Sequence, residues 1–147
     1  MLWSVTHEKD IEHLIFAAHA LARMTAAETG SQTPAAQWRT IAFLEERGPL
    51  RLGELAALSR VTQPGITRLT GQMADAGLVE RTADPADSRV TVISLTDAGS
   101  AALDQWRTQL TAALAPRFDD LDEREWEALR TTAAVLARKT GALEATR

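Results

Sequence analysis

Asp84-Pro85-Ala86-Asp87-Ser88-Arg89 is a polar, proline-bearing segment that separates two apolar runs. Leu78-Val79 stands before it, directly after Ala76-Gly77, where a glycine punctuates a helical pattern. The β-branched run Val90-Thr91-Val92-Ile93 follows it, and Leu95 then leads to a helix start at Thr96-Asp97. Two short strands joined by such a tip predict a β-hairpin.

Two short helices are expected just upstream. Leu50-Arg51-Leu52 leads into one around residues 53–58, Ser59-Arg60-Val61 makes the turn, and Thr62 caps a second that ends after Ala76. A gap of three or four residues is helix-turn-helix spacing, and a hairpin straight after it is the element order of a winged helix-turn-helix. DNA binding is therefore the leading expectation.

Longer helices flank this middle. Residues 6–27 carry Ile11, Leu14, Ile15, Ala18, Leu21 and Ala22 at helical spacing. After a loop at residues 29–32, Thr33 reads as an N-cap with Pro34 in the first turn of a second helix, which Gly48-Pro49 stops. Beyond the hairpin, Thr96 caps a helix bearing Leu103, Trp106, Leu110 and Leu114, with Pro116 near its end. Asp122 and Glu125 form a capping-box-like start for a last helix with Trp126, Leu129, Ala133 and Leu136. The fold class expected is mainly α with a small β-hairpin wing (α+β). Residues 33–96 form the winged helix-turn-helix, and 1–32 and 97–147 supply flanking dimerisation helices. Their apolar stripes need cover. Packing against a second copy gives it, with Ile11, Leu14, Trp106, Leu110, Trp126, Leu129 and Leu136 at the interface. The alternative is a single-chain bundle on one side of the middle domain.

Composition narrows the functions. The 147 residues are 45% hydrophobic and 24% charged, ordinary for a globular protein. No apolar run reaches the ~20 residues that span a bilayer. The N-terminus Met1-Leu2-Trp3-Ser4 lacks the pattern of a signal peptide, so the cytoplasm is the expected compartment and no membrane partner is expected. With no cysteine, disulfides, thiolate nucleophiles and Cys-ligated zinc are excluded. A net charge of −4 argues against general affinity for polyanions, but local surface decides. Arg47, Arg51, Arg60, Arg68, Arg81 and Arg89 stand in the middle against Glu54, Asp75, Glu80, Asp84 and Asp87. The basic character of the middle is thus only relative to the end, where Asp119, Asp120, Asp122, Glu123, Glu125 and Glu127 crowd together after Pro116.

At about 100° per residue, the helix capped by Thr62 turns Ile66, Leu69 and Met73 to one side, with Thr70 beside them. Pro64, Thr67, Arg68, Gly71 and Asp75 lie opposite. Small side chains at the N-terminal end of that face admit a major groove closely, and the free N–H groups there favour phosphate. Arg68 can fork onto a guanine edge, Gln63 onto an adenine, and the methyls of Thr62 and Thr67 can touch thymine. Arg60 in the turn, Pro64, and Ser88 in the hairpin complete the expected DNA-facing set with Asp87 and Arg89. The last two are two residues apart and can point to one side of the tip. The carboxylate can then steady the arginine for a minor groove, whose negative potential attracts it.

Enzymatic chemistry is not expected. His7, His13 and His19 stand six residues apart, about 240° of rotation on a helix, so they do not converge on a metal. No Gly-rich phosphate loop follows a strand and no Gly-x-Ser-x-Gly elbow occurs. No catalytic residue, metal or cofactor is therefore predicted. Trp38, which reads first as core, and His19 are the candidates for a small-molecule pocket.

Leu55-Ala56, then Val61-Thr62-Gln63-Pro64-Gly65-Ile66-Thr67-Arg68-Leu69, then Gly77-Leu78-Val79-Glu80-Arg81, then Asp84 to Arg89 with Leu95-Thr96-Asp97-Ala98-Gly99, resembles the MarR family of bacterial transcription regulators. The motifs cover residues 33–100, and helix order extends the likeness to the whole chain. The resemblance implies a roughly triangular homodimer built on its terminal helices, with two winged lobes on a pseudopalindromic operator in double-stranded DNA. It implies that Arg68 and its neighbours enter the major groove and that Arg89, steadied by Asp87, enters the minor groove. Repression relieved by a small phenolic or aromatic effector, bound where the dimer domain meets the lobe, is also implied. Gly65 departs from the pattern, having no side chain to offer a base. The competing reading is a winged-helix protein-interaction module without DNA binding, for which net acidity is the best argument.

Overall fold

The computed structural model describes residues 5–29 and 34–140. Helices α1 (Val5–Thr29) and α2 (Ala35–Arg47) lead to a two-residue strand, β1 (Leu50–Arg51). Helices α3 (Leu52–Ser59) and α4 (Gln63–Asp75) precede strands β2 (Val79–Ala83) and β3 (Thr91–Leu95). Helix α5 (Asp97–Leu114), a 3-10 turn (Ala115–Phe118) and α6 (Glu123–Thr140) complete the chain. It is a mainly helical α+β fold with a winged helix-turn-helix at its centre.

Local chemistry sets the ends of α4. The Thr62 hydroxyl accepts the Gly65 N–H at 3.3 Å, and Pro64 occupies the first turn, where its missing N–H costs nothing. At the other end Gly77 has φ +73°, Leu78 N–H bonds to Met73 C=O and Gly77 N–H to Ala74 C=O. This is a Schellman close, which needs the left-handed backbone that glycine adopts without strain. Between these ends Ile66, Leu69, Thr70 and Met73 are buried, on the face the periodicity marks as inward.

That face joins Ile41 and Leu44 of α2, Leu55 and Ala56 of α3, Val79 and Ile93 of the hairpin and Leu103 of α5 in one core. Fully burying each large side chain contributes about 1.5–3 kcal/mol. Two hydroxyls inside it, Thr40 on α2 and Ser59 on α3, are 3.3 Å apart and satisfy one another.

Two local expectations are corrected. Pro34 is the N-cap of α2 and not a first-turn residue, because its ψ of 135° is extended and helical geometry starts only at Ala35. Thr33, expected as that cap, lies outside the described residues. The strand β1 was not expected. Leu50 pairs with Ile93 and Arg51 with Val92, giving an antiparallel sheet ordered β1-β3-β2. Two residues carry no readable period; they become a strand because the free edge of β3 lies beside them.

Thr96 starts α5 by accepting the Gly99 N–H at 3.0 Å, while its hydroxyl donates to Gly77 C=O at 2.6 Å. At α6, Asp122 and Glu125 exchange backbone-to-carboxylate bonds of 2.9 and 2.8 Å, the reciprocal capping box. Neither α1 nor α6 has a buried side chain among the described residues. Ile11, Ile15, Phe16 and Leu21 on α1, and Trp126, Leu129 and Val135 on α6, stay exposed. No described helix is long and apolar enough to cross a membrane.

Gly99 is the tightest point. A Cβ there would lie 2.1 Å from Leu78 O and 2.5 Å from Leu95 Cδ1. We expect Gly99→Ala to destabilise the fold by about 2–3 kcal/mol, in the overpacking range. Gly53→Ala, which points into open space, should be neutral or slightly stabilising. Urea unfolding at one fixed protein concentration measures both; equal stability of the two variants would refute the close approach.

Candidate nucleic-acid interface

Arg60, Thr62, Gln63, Pro64, Thr67 and Arg68 are all exposed, on the turn before α4 and on its outer face. The turn is shaped by Arg60, which takes a left-handed φ of 53° as the C-cap of α3. Gly65 does not belong to the outer face. A Cβ on it would lie 2.8 Å from Val61 Cγ1 and 3.0 Å from Thr62 Oγ1, so glycine lets the turn close against the helix. The Thr67 hydroxyl donates to Gln63 C=O at 2.8 Å, so it is already engaged within the helix. Arg68 has no ion-pair partner among the described residues. Arg81, on β2, lays its guanidinium across α4, 3.6 Å from where a Cβ on Gly71 would stand. Sequence reading did not single it out, because nothing local ties residue 81 to residue 71.

The hairpin loop is organised by two carboxylates. Asp87 receives Arg89 in a two-point fork, Nε to Oδ1 at 3.0 Å and Nη2 to Oδ2 at 3.1 Å, and also the Arg89 N–H at 3.1 Å. The Arg89 side chain nevertheless remains 88% exposed. Asp84 is buried at the base of the loop, its Oδ1 accepting Ala86 N–H at 2.8 Å and its Oδ2 accepting Arg51 Nε at 2.7 Å. The Ala86 N–H and then Arg51 hold the Asp84 carboxyl below the usual carboxylate range, against the opposing effect of burial. Arg89 lowers Asp87 in the same way, and Asp87 raises Arg89. Both carboxylates are therefore charged at neutral pH. Their bonds persist as pH falls until it passes below the ordinary value of 3.8 toward the lowered ones. An aspartate before proline at a strand end hints at a turn-forming Asp84. Its partner Arg51, 33 residues earlier, gives no local signal.

A separate cavity of about 430 Å³ opens between α1, α2 and α5. Ala22, Thr25 and Ala26 line it from α1, Trp38 and Arg39 from α2, and Trp106 and Leu110 from α5. The rings of Trp38 and Trp106 stack at 5.1 Å and 16°. Trp38 Nε1 is buried with no hydrogen-bond partner among the described residues. His19 is corrected here: it is exposed, one turn before Ala22, and does not line the cavity. Trp106 and Leu110 are half-buried against the cavity within the chain, because α5 packs along α1 and α2. Of the other residues expected at an interface between copies, Leu14 and Leu136 are half-buried, and Ile11, Trp126 and Leu129 are exposed.

Comparison with known proteins agrees with this geometry. A family model described as MarR family matches residues 31–90. An uncharacterized HTH-type transcriptional regulator of Mycobacterium bovis is 30% identical over 100 residues, 68% of this chain and 70% of the relative. Among solved structures, a MarR family protein from Bacillus stearothermophilus superposes with TM-score 0.74 at 20% identity, over 95% of this chain and 99% of the other. The BpsR protein of Bordetella bronchiseptica, whose DNA binding is regulated by 6-hydroxynicotinic acid, gives TM-score 0.61 at 20% identity, over 96% and 95%. The chain belongs to the MarR family; it is a DNA-binding transcription regulator and not an enzyme.

Two outcomes test the residues of this interface. If Arg68 reads a base, Arg68→Ala should weaken a cognate site by about 1–3 kcal/mol and relax preference at that position. Equal weakening of cognate and random DNA would assign it to phosphate instead. In the loop, Arg89→Ala should cut affinity and lower the salt slope by roughly one counterion. Asp87→Ala removes a negative charge, so bulk electrostatics alone would tighten binding to a polyanion. If Asp87 orients Arg89, binding should weaken. Tighter binding by Asp87→Ala, with circular dichroism unchanged, would show two independent loop charges.

Proposed function

We propose that this regulator is a repressor that binds a pseudopalindromic operator as a homodimer and releases it on binding a small aromatic effector. The observation that carries the DNA-reading half is the Asp87–Arg89 fork, an exposed and oriented arginine at the hairpin tip. It belongs to the same small domain as the polar outer face of α4. Residues 33–96 would then read DNA, α4 in the major groove and the hairpin in the adjacent minor groove.

The terminal segments 1–32 and 97–147 would supply the dimer. The support is the uncovered apolar side chains on α1 and α6, the latter burying none of its own residues. Such faces are covered economically by their symmetry copies. A two-fold protein in turn suits an operator with two half-sites about one helical turn apart.

The cavity supports the effector half. Its volume suits a small ligand, and its lining is apolar with a few polar groups, the usual composition of a ligand site. The Trp38–Trp106 stack offers a flat aromatic wall and Arg39 a partner for a carboxylate. The Bordetella relative's control by 6-hydroxynicotinic acid supplies a probe of suitable shape and charge.

Sedimentation at micromolar concentration should give about twice the 16.0 kDa chain mass, and selection from random duplex DNA should yield an inverted repeat. A monomer or an unrepeated site would refute the operator geometry. Absence of any salt-dependent DNA binding would favour the protein-interaction reading that the net charge of −4 suggests. Titration with 6-hydroxynicotinate should quench tryptophan fluorescence and release DNA, and Trp38→Ala should abolish both effects. Quenching without release would place a ligand in the cavity but deny it control.

A further inference from the structure

We infer that Arg51 is a positioning residue for the hairpin loop: by holding the buried Asp84 carboxylate, it sets the direction in which Arg89 leaves the tip. The inference rests on the reading that Arg89 engages DNA.

The sheet order makes the contact unusual. Arg51 lies on β1 opposite Val92, and Asp84 follows Ala83, the last residue of β2, which pairs with Thr91. With β3 between them, the two outer strands are roughly 10 Å apart. The Arg51 side chain crosses the middle strand to reach the loop, so one ion pair straps all three strands at the loop's base.

The loop itself closes through Asp84 and Asp87. Asp84 N–H bonds to Val90 C=O at 2.8 Å, Asp87 N–H to Asp84 C=O at 3.2 Å, and Val90 N–H to Asp87 C=O at 2.9 Å. Asp87 then carries Arg89. The contacts run in series from Arg51 to Asp84, to Asp87, to Arg89. Without Arg51 the buried Asp84 carboxylate loses its charge partner, and turning it toward water disturbs the backbone that orients Asp87.

The bonding atom separates positioning from charge. Arg51 holds Asp84 through Nε; its two terminal nitrogens make no hydrogen bond among the described residues, though its charge also acts on Asp87. The Nε2 of glutamine stands the same number of bonds from Cα, so glutamine can replace the bond without the charge.

The test is fluorescence anisotropy on a random-sequence duplex across salt concentrations, with hydrogen exchange at the Asp87 and Val90 amides. Arg51→Ala should weaken binding about tenfold, the scale of one lost charge-assisted hydrogen bond, and speed exchange at both amides. Arg51→Gln should recover most of the affinity and the protection. In an Arg89→Ala background, Arg51→Ala should add no further loss. Should Arg51→Ala fail to fold, Asp84→Asn takes its place, since Ala86 and Arg51 bond to different oxygens of Asp84 and one of these becomes an NH2 that cannot accept; the same loss and the same non-additivity are expected. Glutamine as weak as alanine, each with a salt slope lowered by about one, would make Arg51 a phosphate contact and overturn the inference. Losses that multiply with Arg89→Ala would overturn it too. Weak binding by Arg89→Ala beside wild-type binding by Arg51→Ala and Asp84→Asn would sink the inference alone. An Arg89→Ala protein that binds like wild type would sink the reading beneath it as well.

Discussion

Where α4 ends, the hairpin begins and α5 starts, the backbones come within contact distance of one another. The Thr96 N–H bonds to Leu78 C=O at 3.2 Å, the Thr96 hydroxyl to Gly77 C=O, and Gly99 leaves no room for a Cβ against Leu78. Any shift of α5 at this point is therefore felt by the close of α4 and by the first residue of β2 at once. Interiors packed to this density transmit displacement rather than absorb it. The relation of the outward face of α4 to the hairpin tip depends on this one seam.

From that seam α5 runs as a single helix to the cavity, where Trp106 and Leu110 meet Trp38 and Arg39 of α2. Arg107 reaches Glu45 of α2 at 2.9 Å on the way, and Arg117 pairs with Glu28 of α1 beyond the helix end. Exposed pairs of this kind contribute little to stability, typically 1 kcal/mol or less. Their geometry still records that α5 is held to α2, and the turn after it to α1. One helix, α5, thus touches the cavity along its length and the α4–hairpin seam at its start.

Charge is arranged locally in a protein that is acidic overall. Asp84 and Asp87 add negative charge to the hairpin loop, yet each carboxylate holds an arginine, Arg51 and Arg89, at a defined angle. An arginine fixed by a two-point fork has less side-chain freedom left to lose in a contact than a free one. The net charge of −4 thus says little about this surface.

Much of the fold was legible in the chain because its signals are local. The caps at Thr62 and Thr96, the box at Asp122 and Glu125, the inward face of α4 and the hairpin around Asp84–Arg89 follow from residue chemistry within a turn or two. The Asp87–Arg89 pair was legible for the same reason, at a separation of two residues. What escaped reading depends on residues far apart in sequence: β1 exists only beside β3, Arg51 meets Asp84 across 33 positions, and Arg81 lies over Gly71. The apolar stripe of α5 did not show that Trp106 stacks on Trp38 at the cavity, which the packing of α5 brings about. His19 went the other way, left outside the lining although it shares a helix with Ala22. A period marks which face of a helix is apolar; what that face meets is decided only when the other helices are in place.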